Sequence, residues 1–271
     1  MPINTADVLR KTFVARMEYY PTLGSTNDRA AQCAGEDVDG LPLLADGLPL
    51  LIVADDQTAG RGRNANRWWT GHGSLAMSLL AQRELVEADR QRSPLVALAV
   101  AVGVVDAVAP LLPNRQVGIH WPNDVVVHDS TTNDRKLAGI LVEVLPSRRY
   151  VIGIGLNTNN TLDDAPAELR GRICTIRDMT GNVLEQTEVL IGLLHRLERA
   201  FAELRANPAG IAGRADAIYI QRHCMVTAEQ GGKTITGKCK GIGSDGALLI
   251  DTPTGVQSLV SGTVRHRRDA G

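Results

Sequence analysis

The amino-acid sequence predicts an α+β fold, in which a mixed sheet with helices on one side is followed by a small C-terminal β domain. Short apolar runs of strand length recur between residues 50 and 156, with one long apolar helix among them. After Asn207-Pro208 the pattern changes to β-runs separated by glycine-rich turns. The length of 271 residues suits one large and one small domain, which we place at residues 1–220 and 221–271.

Composition indicates a folded globular protein. Hydrophobic residues make up 44% of the chain and charged residues 22%, so enough apolar surface is present to offset the entropy of folding. The formal net charge of −1 argues against binding of DNA or membranes by the protein as a whole. The four cysteines lack Cys-x-x-Cys spacing and the N-terminus lacks a signal peptide, so we expect a cytoplasmic protein with reduced thiols and no zinc site.

The first quarter of the sequence predicts two strands around a helix. Residues 16–23 are of extended type, and Ser25-Thr26-Asn27 supplies capping side chains for a helix that runs toward Cys33. Residues 35–49 are rich in Gly, Pro and Asp, which is typical of a surface loop. Residues 50–55 then form a short buried strand that leads into a glycine- and arginine-rich segment.

The apolar stretch from Pro94 to Leu112 is nearly as long as the ~20 residues that span a bilayer. Asp106 stands near its middle, where a carboxylate costs roughly 2.5–3.5 kcal/mol on insertion scales, and Pro110 stands near its end. We therefore predict a buried helix of the protein core rather than a membrane span.

The remaining elements follow from apolar runs and helical periodicity. Residues 187–205 carry apolar side chains on one helical face. Residues 225–265 read as β-runs with Gly-Gly and Asp-Gly hairpin signals, which fit a small antiparallel barrel-like domain. Five further strands are predicted at residues 74–81, 117–121, 124–128, 137–144 and 150–156.

The segment from Gln57 to Arg63 alternates glycine and arginine after a buried strand. Glycine permits close backbone approach to a ligand, and guanidinium groups pair with carboxylates and phosphates. Gly-Arg repeats also occur in disordered RNA-binding tails, but this repeat is short and lies between predicted strands. The segment matches neither a Walker loop nor Gly-x-Gly-x-x-Gly. An anion site that activates a small carboxylic acid with ATP is the function it favours.

Two further clusters carry polar or small residues at strand ends. Trp121-Pro122-Asn123-Asp124 precedes Lys136, which enters a strand with Gly139 three residues later. Taken alone, the Asn-Asp pair is also typical of an ordinary Asx turn. Gly153-Ile154-Gly155-Leu156-Asn157 places two small residues where a planar ring can lie against a strand.

In this order, these motifs closely resemble those of biotin protein ligase (biotin–[acetyl-CoA-carboxylase] ligase), over roughly residues 16–160. The resemblance implies a catalytic domain like that of class II aminoacyl-tRNA synthetases, with an SH3-like C-terminal barrel. It implies that biotin and ATP form biotinyl-5′-AMP with Mg²⁺, and that a lysine of a biotin carboxyl carrier protein then accepts biotin. Monomer and homodimer are both open.

The resemblance also implies roles for individual residues. The biotin-binding set is Ser25, Thr26, Gln57, Gly60, Arg61 and Gly139. The set for ATP and its phosphates is Arg63, Trp68, Lys136 and Asn157. The catalytic set is Lys136 for the developing charge, Arg61 for the biotin carboxylate and the phosphate, and Asp124 for orienting Lys136 or the metal. No protein ligand to a metal is assigned.

The sequence departs from the family pattern at two places. Asn64-Ala65-Asn66 stands where bacterial members commonly have Arg-Gly-Arg, although Arg67 follows and is able to compensate. His120 stands where a lysine often precedes Trp-Pro-Asn-Asp, and its charge would depend on pH.

Three other functions were weighed against a mono-functional biotin ligase. A lipoate-type ligase shares the catalytic fold, but the Gly-Arg-Gly-Arg segment argues against it. The altered loop leaves open a non-catalytic protein that binds biotin or a nucleotide. A DNA-binding repressor is disfavoured, because about fifteen residues precede the first predicted strand and three helices need more.

Overall fold

A computed structural model of the protein describes residues 3–35, 37–38, 41–42, 47–64, 66–87, 94–129 and 134–266. Seven of the fifteen residues of the predicted loop at 35–49 lie outside the described residues, and so does Ala65. The helices are α1 Thr5–Lys11, α2 Thr26–Gly35, α3 Arg83–Val86, α4 Leu95–Val108, α5 Ile176–Thr180, α6 Gln186–Ala206 and α7 Pro208–Ala217. The strands are β1 Arg16–Leu23, β2 Asp37–Val38, β3 Leu41–Pro42, β4 Leu50–Gln57, β5 Leu75–Ala81, β6 Val117–His120, β7 Asp124–Val127, β8 Arg135–Val144, β9 Tyr150–Leu156, β10 Met225–Gln230, β11 Lys233–Ile242, β12 Leu248–Thr252, β13 Gly255–Leu259 and β14 Thr263–His266.

A seven-stranded mixed sheet forms the centre of the larger part, with the order β1-β4-β5-β9-β8-β7-β6. The β1–β4 pair is parallel, because α2 lies between these strands in sequence. The other pairs are antiparallel. The predicted mixed sheet and α+β class are confirmed.

Both faces of the central strands are buried, which explains their continuous apolar runs. Leu51 and Val53 of β4 face the larger core, which α4 and α6 cover, whereas Leu50 and Ile52 face α2. The prediction of helices on one side therefore holds for the long helices but is wrong for α2. Only a few small side chains of this helix, such as Ala30 and Cys33, meet the sheet.

The apolar stretch from Pro94 is a buried helix, as predicted. Helix α4 is apolar all round because α6, α7 and the sheet surround it. Asp106, the carboxylate that argued against a membrane span, pairs with Arg214 of α7 at 2.6 Å. Within the described residues, no helix is both long and apolar enough to cross a membrane.

Helix α7 was not predicted from the sequence. Asn207-Pro208 was interpreted as the start of a β-rich region, but Asn207 caps α7 by accepting a hydrogen bond from the Gly210 amide, and Pro208 occupies the first turn. A proline at this position is favourable, since the missing N–H would have no helical partner. Gly210 and Gly213 weaken the helical propensity that would have revealed the element.

The C-terminal part is a five-stranded antiparallel sheet with the order β13-β12-β11-β10-β14, in agreement with the predicted SH3-like barrel. It packs against the larger part through specific hydrogen bonds. The buried indole of Trp121 donates from Nε1 to the carbonyl of Gly246 at 3.0 Å. The domain boundary at 220/221 stays a prediction.

Candidate functional site

A cavity lies on the α2 face of the sheet, beyond the end of α2. Leu50, Ile52 and Leu80 fill this face beneath α2, whereas glycines replace large side chains on the neighbouring strands β8 and β9. Gly139, Gly153 and Gly155 all line the cavity. Because these positions carry no side chains, Asn27 lies close over Gly153 and Trp68 lies close over Gly139 and Gly155.

One side of the cavity is uncharged and internally hydrogen-bonded; we call Ser25, Thr26, Asn27, Gln57 and Ser78 the polar wall. Gln57 Oε1 accepts from the Thr26 amide at 2.8 Å and from the Thr26 hydroxyl at 3.1 Å. The buried Ser78 hydroxyl lies 2.7 Å from Thr26 Oγ1 and 2.6 Å from Asn27 Oδ1. These bonds fix the side chains before any ligand arrives.

The glycine- and arginine-rich segment forms a short hairpin over the cavity. The amide of Gly62 donates to the Asn66 carbonyl at 2.7 Å, and the amide of Trp68 donates to the Gly60 carbonyl at 2.9 Å. The hairpin turns near Asn64, which has a positive φ of 52°. Asparagine tolerates this conformation better than most residues do.

The indole of Trp68 lies in a slot made by two glycines. A Cβ at Gly155 would lie 2.2 Å from Trp68 Cε2, and a Cβ at Gly139 would lie 2.9 Å from Trp68 Cζ3. The Lys136 ammonium stands 5.6 Å from the centre of the ring, within range of a cation–π interaction. Trp68 Nε1 is buried without a hydrogen-bond partner among the described residues.

The opposite side of the cavity carries charge; we call Arg63, Trp68, Asp124 and Lys136 the charged wall. Lys136 Nζ lies 2.7 Å from Asp124 Oδ1. The register between β7 and β8 shifts between Val125 and Val126, so that Leu137 is an extra residue on β8.

This bulge explains how Lys136 reaches the cavity. Leu137 and Ala138 are consecutive, yet both pack in the larger core, whereas a regular strand would send them to opposite faces. The extra residue shifts the alternation of side chains by one position. Lys136 and Gly139, three residues apart, therefore lie on the same face of the sheet.

Arg63 is half-buried between the two parts of the molecule. Its Nη1 donates to Asn123 Oδ1 at 3.1 Å, and its Nη2 donates to the carbonyl of Gly262 at 3.1 Å. Burial lowers the pKa of Arg63, although the nearby Asp124 opposes this shift. Neither guanidinium contact is to a carboxylate, so its charge is available to an anionic ligand.

Arg61 points to the other end of the cavity. Its Nη1 lies 2.7 Å from Asp28 Oδ1, and its Nη2 lies 2.7 Å from Glu143 Oε1. Both terminal nitrogens are thus already bound to carboxylates.

Comparison with known proteins assigns the chain to a family. Residues 40–159 match the model of the biotin/lipoate A/B protein ligase family, and residues 225–267 match the biotin protein ligase C-terminal domain. The chain is 32% identical to the biotin–[acetyl-CoA-carboxylase] ligase of Mycobacterium tuberculosis, with 90% of this chain and 86% of that protein covered. The chain belongs to the biotin protein ligase family.

Two further likenesses extend the family assignment. The structure of biotin protein ligase from Aquifex aeolicus in complex with biotin and ATP superimposes with a TM-score of 0.77 at 25% identity, covering 94% of this chain and 99% of that one. The bifunctional ligase/repressor BirA of Bacillus spizizenii is 30% identical over 79% of this chain. This chain spans 65% of the length of that relative.

Most residues expected from the family resemblance meet at the cavity. Ser25, Thr26, Gln57, Arg61, Arg63, Trp68, Asp124, Lys136 and Gly139 line it. Gly60 belongs to the hairpin but does not line the cavity, and a Cβ there would meet the Trp68 carbonyl at 2.6 Å. Asn157 is buried below the cavity rather than at its surface.

Asn157 pairs with Asn160, so that the two amides leave one donor and one acceptor open. Asn160 Nδ2 donates to Asn157 Oδ1 at 3.1 Å. Within the described part of the chain, Asn157 Nδ2 and Asn160 Oδ1 are buried without hydrogen-bond partners. Buried polar atoms in this state are costly, so a binding partner for this pair is favoured.

His120, which replaces the lysine common in this family, belongs to a separate cluster. His120 Nε2 lies 2.8 Å from Asp134 Oδ2, and His128 Nδ1 lies 2.7 Å from Asp134 Oδ1. Burial alone raises the pKa of Asp134, but the hydrogen bonds with His120 and His128 outweigh it and lower the pKa to about 2. His120 is therefore paired with Asp134 and does not line the cavity.

Four functional candidates received no role from the sequence. Ser78 and Glu143 lie inside apolar strand runs, where a single polar residue gives no periodic signal. Asn27 and Asn123 belong to quoted motifs, but their contacts cross the fold to Glu143 and Arg63. Pairings between residues this distant in sequence leave no local pattern.

Proposed function

We propose that this protein is an ATP-dependent biotin protein ligase that forms biotinyl-5′-AMP and transfers biotin to a lysine of a biotin carboxyl carrier protein. The observation that carries the proposal is the pairing of two unlike walls in one cavity. A rigid uncharged wall suits the ureido ring of biotin, and a cationic wall suits a carboxylate and phosphates.

The polar wall would recognise the ureido group. Its hydroxyls and amide are already ordered by one another, so biotin would meet fixed groups and little side-chain entropy would be lost on binding. Ser25 also caps α2, because its Oγ accepts from the Asp28 amide at 3.4 Å. The methylene chain of biotin would run through the cavity past Gly153 and Gly155, which line it.

The charged wall would bring two anions together. In the first step, a biotin carboxylate oxygen bonds to the α-phosphorus of ATP, the bond to the bridging oxygen breaks, and pyrophosphate leaves with that electron pair. Lys136 would stabilise the negative charge that develops at the α-phosphate, and Arg63 would hold the phosphate oxygens. Asp124 would orient the ammonium of Lys136 through their 2.7 Å contact.

The adenine ring would be held near Trp68 and Asn157. The open donor on Asn157 and the open acceptor on Asn160 complement a purine edge that carries a ring nitrogen beside an amino group. Both amides are buried, so the nucleotide would reach them only after a shift of Trp68 or of the segment that follows β9.

Magnesium would enter with the nucleotide. Among the described residues that line the cavity, Asp124 is the sole carboxylate, and no cluster of three metal-ligating side chains occurs in the described chain. This fits Mg²⁺, which commonly binds substrate phosphates and water with one or two protein carboxylates. The metal would supply neutralisation of phosphate charge, and Asp124 would be its protein contact.

In the second step, a lysine amine of the carrier bonds to the acyl carbon, AMP leaves with the electron pair, and the amine loses a proton. The exposed hairpin beside the cavity gives a macromolecular substrate access to the acyl group. All four cysteines are free, which suits work in the reducing cytoplasm.

A two-stage assay tests the proposal. Pyrophosphate release is measured with ATP, Mg²⁺ and either biotin or lipoate, and the mass of an added carrier domain is then followed. We expect pyrophosphate with biotin and a mass increase of one biotinyl group on the carrier. Release with lipoate alone would favour a lipoate-type ligase, and binding of biotin without release would favour a non-catalytic protein.

A further inference from the structure

The guanidinium of Arg61 is held by two carboxylates from different elements, Asp28 of α2 and Glu143 of β8. The distances are 2.7 Å to each, and a second Arg61 nitrogen contact to Glu143 Oε2 measures 3.2 Å. Two negative charges thus surround one positive charge. An incoming phosphate or carboxylate would meet a local excess of negative charge at this place.

Glu143 joins this ion pair to the polar wall. Its Oε2 accepts from Asn27 Nδ2 at 2.7 Å, and Asn27 Oδ1 lies 2.6 Å from the Ser78 hydroxyl. Ser78 in turn contacts Thr26, which donates to Gln57. A continuous chain of hydrogen bonds therefore runs from Arg61 on the hairpin to the side chains assigned to biotin.

Arg61 and Lys136 are held by different partners. The partner of Arg61, Glu143, stands seven residues beyond Lys136 on β8, whereas the Lys136 ammonium contacts Asp124. Both side chains line the cavity, but the guanidinium of Arg61 is already paired with two carboxylates, so its charge is compensated before a phosphate arrives.

We propose that Arg61, Glu143 and Asn27 are positioning residues, which lock the polar wall and the hairpin in the arrangement that receives biotin, and that Arg61 does not bind the phosphates. The inference rests on the proposed function, because the wall is assigned to biotin. It replaces the expectation that Arg61 holds the biotin carboxylate and the α-phosphate.

Steady-state kinetics of pyrophosphate release separate the two roles. Glu143→Gln and Arg61→Gln should each raise the KM for biotin by about 10-fold, the effect of losing one charge-assisted hydrogen bond. The KM for ATP and kcat should stay within about twofold. Arg61→Lys should recover part of the loss, because one ammonium still pairs with one carboxylate.

The double variant gives a second test. Since Arg61 is proposed to act through Glu143, Arg61→Gln combined with Glu143→Gln should be little worse than either change alone. A role in phosphate binding gives the opposite results. Arg61→Gln would then raise the KM for ATP or lower kcat, Glu143→Gln would not, and the double variant would show the product of the separate effects.

Two controls keep the outcome interpretable. Glu188→Gln removes an exposed carboxylate of α6, paired with Lys11 at 3.2 Å and outside the cavity, and should leave the KM for biotin unchanged. Melting temperatures show whether each variant is folded, and calorimetric titration with biotin alone checks binding without chemistry. A wild-type chain that neither binds biotin nor releases pyrophosphate would overturn the proposed function. An active wild type with unchanged biotin KM in folded variants would overturn this inference alone.

Discussion

The polar wall and the charged wall face each other across one cavity but are built in different ways. The polar wall comes from the larger part of the molecule, and its buried and half-buried side chains satisfy one another, as Thr26, Gln57 and Ser78 do. The charged wall is more exposed and depends on both parts of the molecule, since Arg63 donates to Gly262 of the C-terminal part.

This difference matches two physical tasks. Recognition of an uncharged ring gains from groups that are already ordered, because an unpaired buried polar group costs about 1–3 kcal/mol. Stabilisation of a developing charge needs cations whose final partner is the ligand. The structure accordingly shows satisfied hydrogen bonds on one wall and an open indole donor, Trp68 Nε1, on the other. Changes to the two walls should therefore affect different kinetic constants.

The largest effect is expected from Lys136→Ala on the charged wall. The change removes the cation nearest the proposed reacting phosphate and leaves Asp124 without its partner. Adenylation should fall by about 100-fold or more, chiefly in kcat, while the biotin KM changes little. Single-turnover pyrophosphate release measures this. Lys11→Ala on α1 is the control, and turnover within twofold of wild type for Lys136→Ala would remove Lys136 from the chemistry.

A smaller effect is expected when the polar wall is crowded. A Cβ at Gly153 would lie 2.1 Å from Asn27 Oδ1, so Gly153→Ala must push Asn27 away from Ser78 and Glu143. The KM for biotin should rise by about 10-fold, with less change in kcat. Gly192→Ala on α6 is the matched control, because a Cβ there meets nothing within 4 Å. A loss confined to kcat would contradict the division between the walls.

A still smaller effect is expected at the contact between hairpin and C-terminal part. Asn64 Nδ2 donates to Thr263 Oγ1 at 3.1 Å, and Thr263→Val removes this acceptor with little change in shape. The KM for ATP should rise about two- to fivefold, because the exposed bond contributes modestly to the order of the charged wall. Ser258→Ala on β13 is the control. An unchanged ATP KM would show that the charged wall does not need this link.

Local patterns in the sequence predicted much of this arrangement, and distant pairings account for what they missed. Strands β4, β5 and β9 were predicted because their apolar runs are buried on both faces, and Lys136 and Gln57 were found through motifs. The bulge at Leu137 could not be predicted from the sequence, because a residue is recognised as extra only by comparison with the strand that pairs with it.

The same limit applies to the arginines. Arg61 and Arg63 are two residues apart and look equivalent in the sequence, yet their partners are Asp28 and Glu143 in one case and Asn123 and Gly262 in the other. Residue spacing along the hairpin does not reveal which elements pack against each guanidinium. Helix α7 was not predicted for a different reason, since its glycines reduce local helical propensity.

Asp134 lies behind the charged wall, and its replacement should affect the stability of the fold rather than turnover. Burial raises its pKa, but the hydrogen bonds with His120 and His128 outweigh burial and lower the pKa from 3.8 to about 2. The ionised form therefore stabilises the fold above pH 4, and this stability is lost as the pH falls toward 2. Asp134→Asn should therefore reduce the free energy of unfolding by about 2 kcal/mol at pH 7 and by about half of that at pH 3. Urea unfolding at the two pH values measures the difference. An equal loss at both would show that packing, rather than charge, is what Asp134 contributes beside the charged wall.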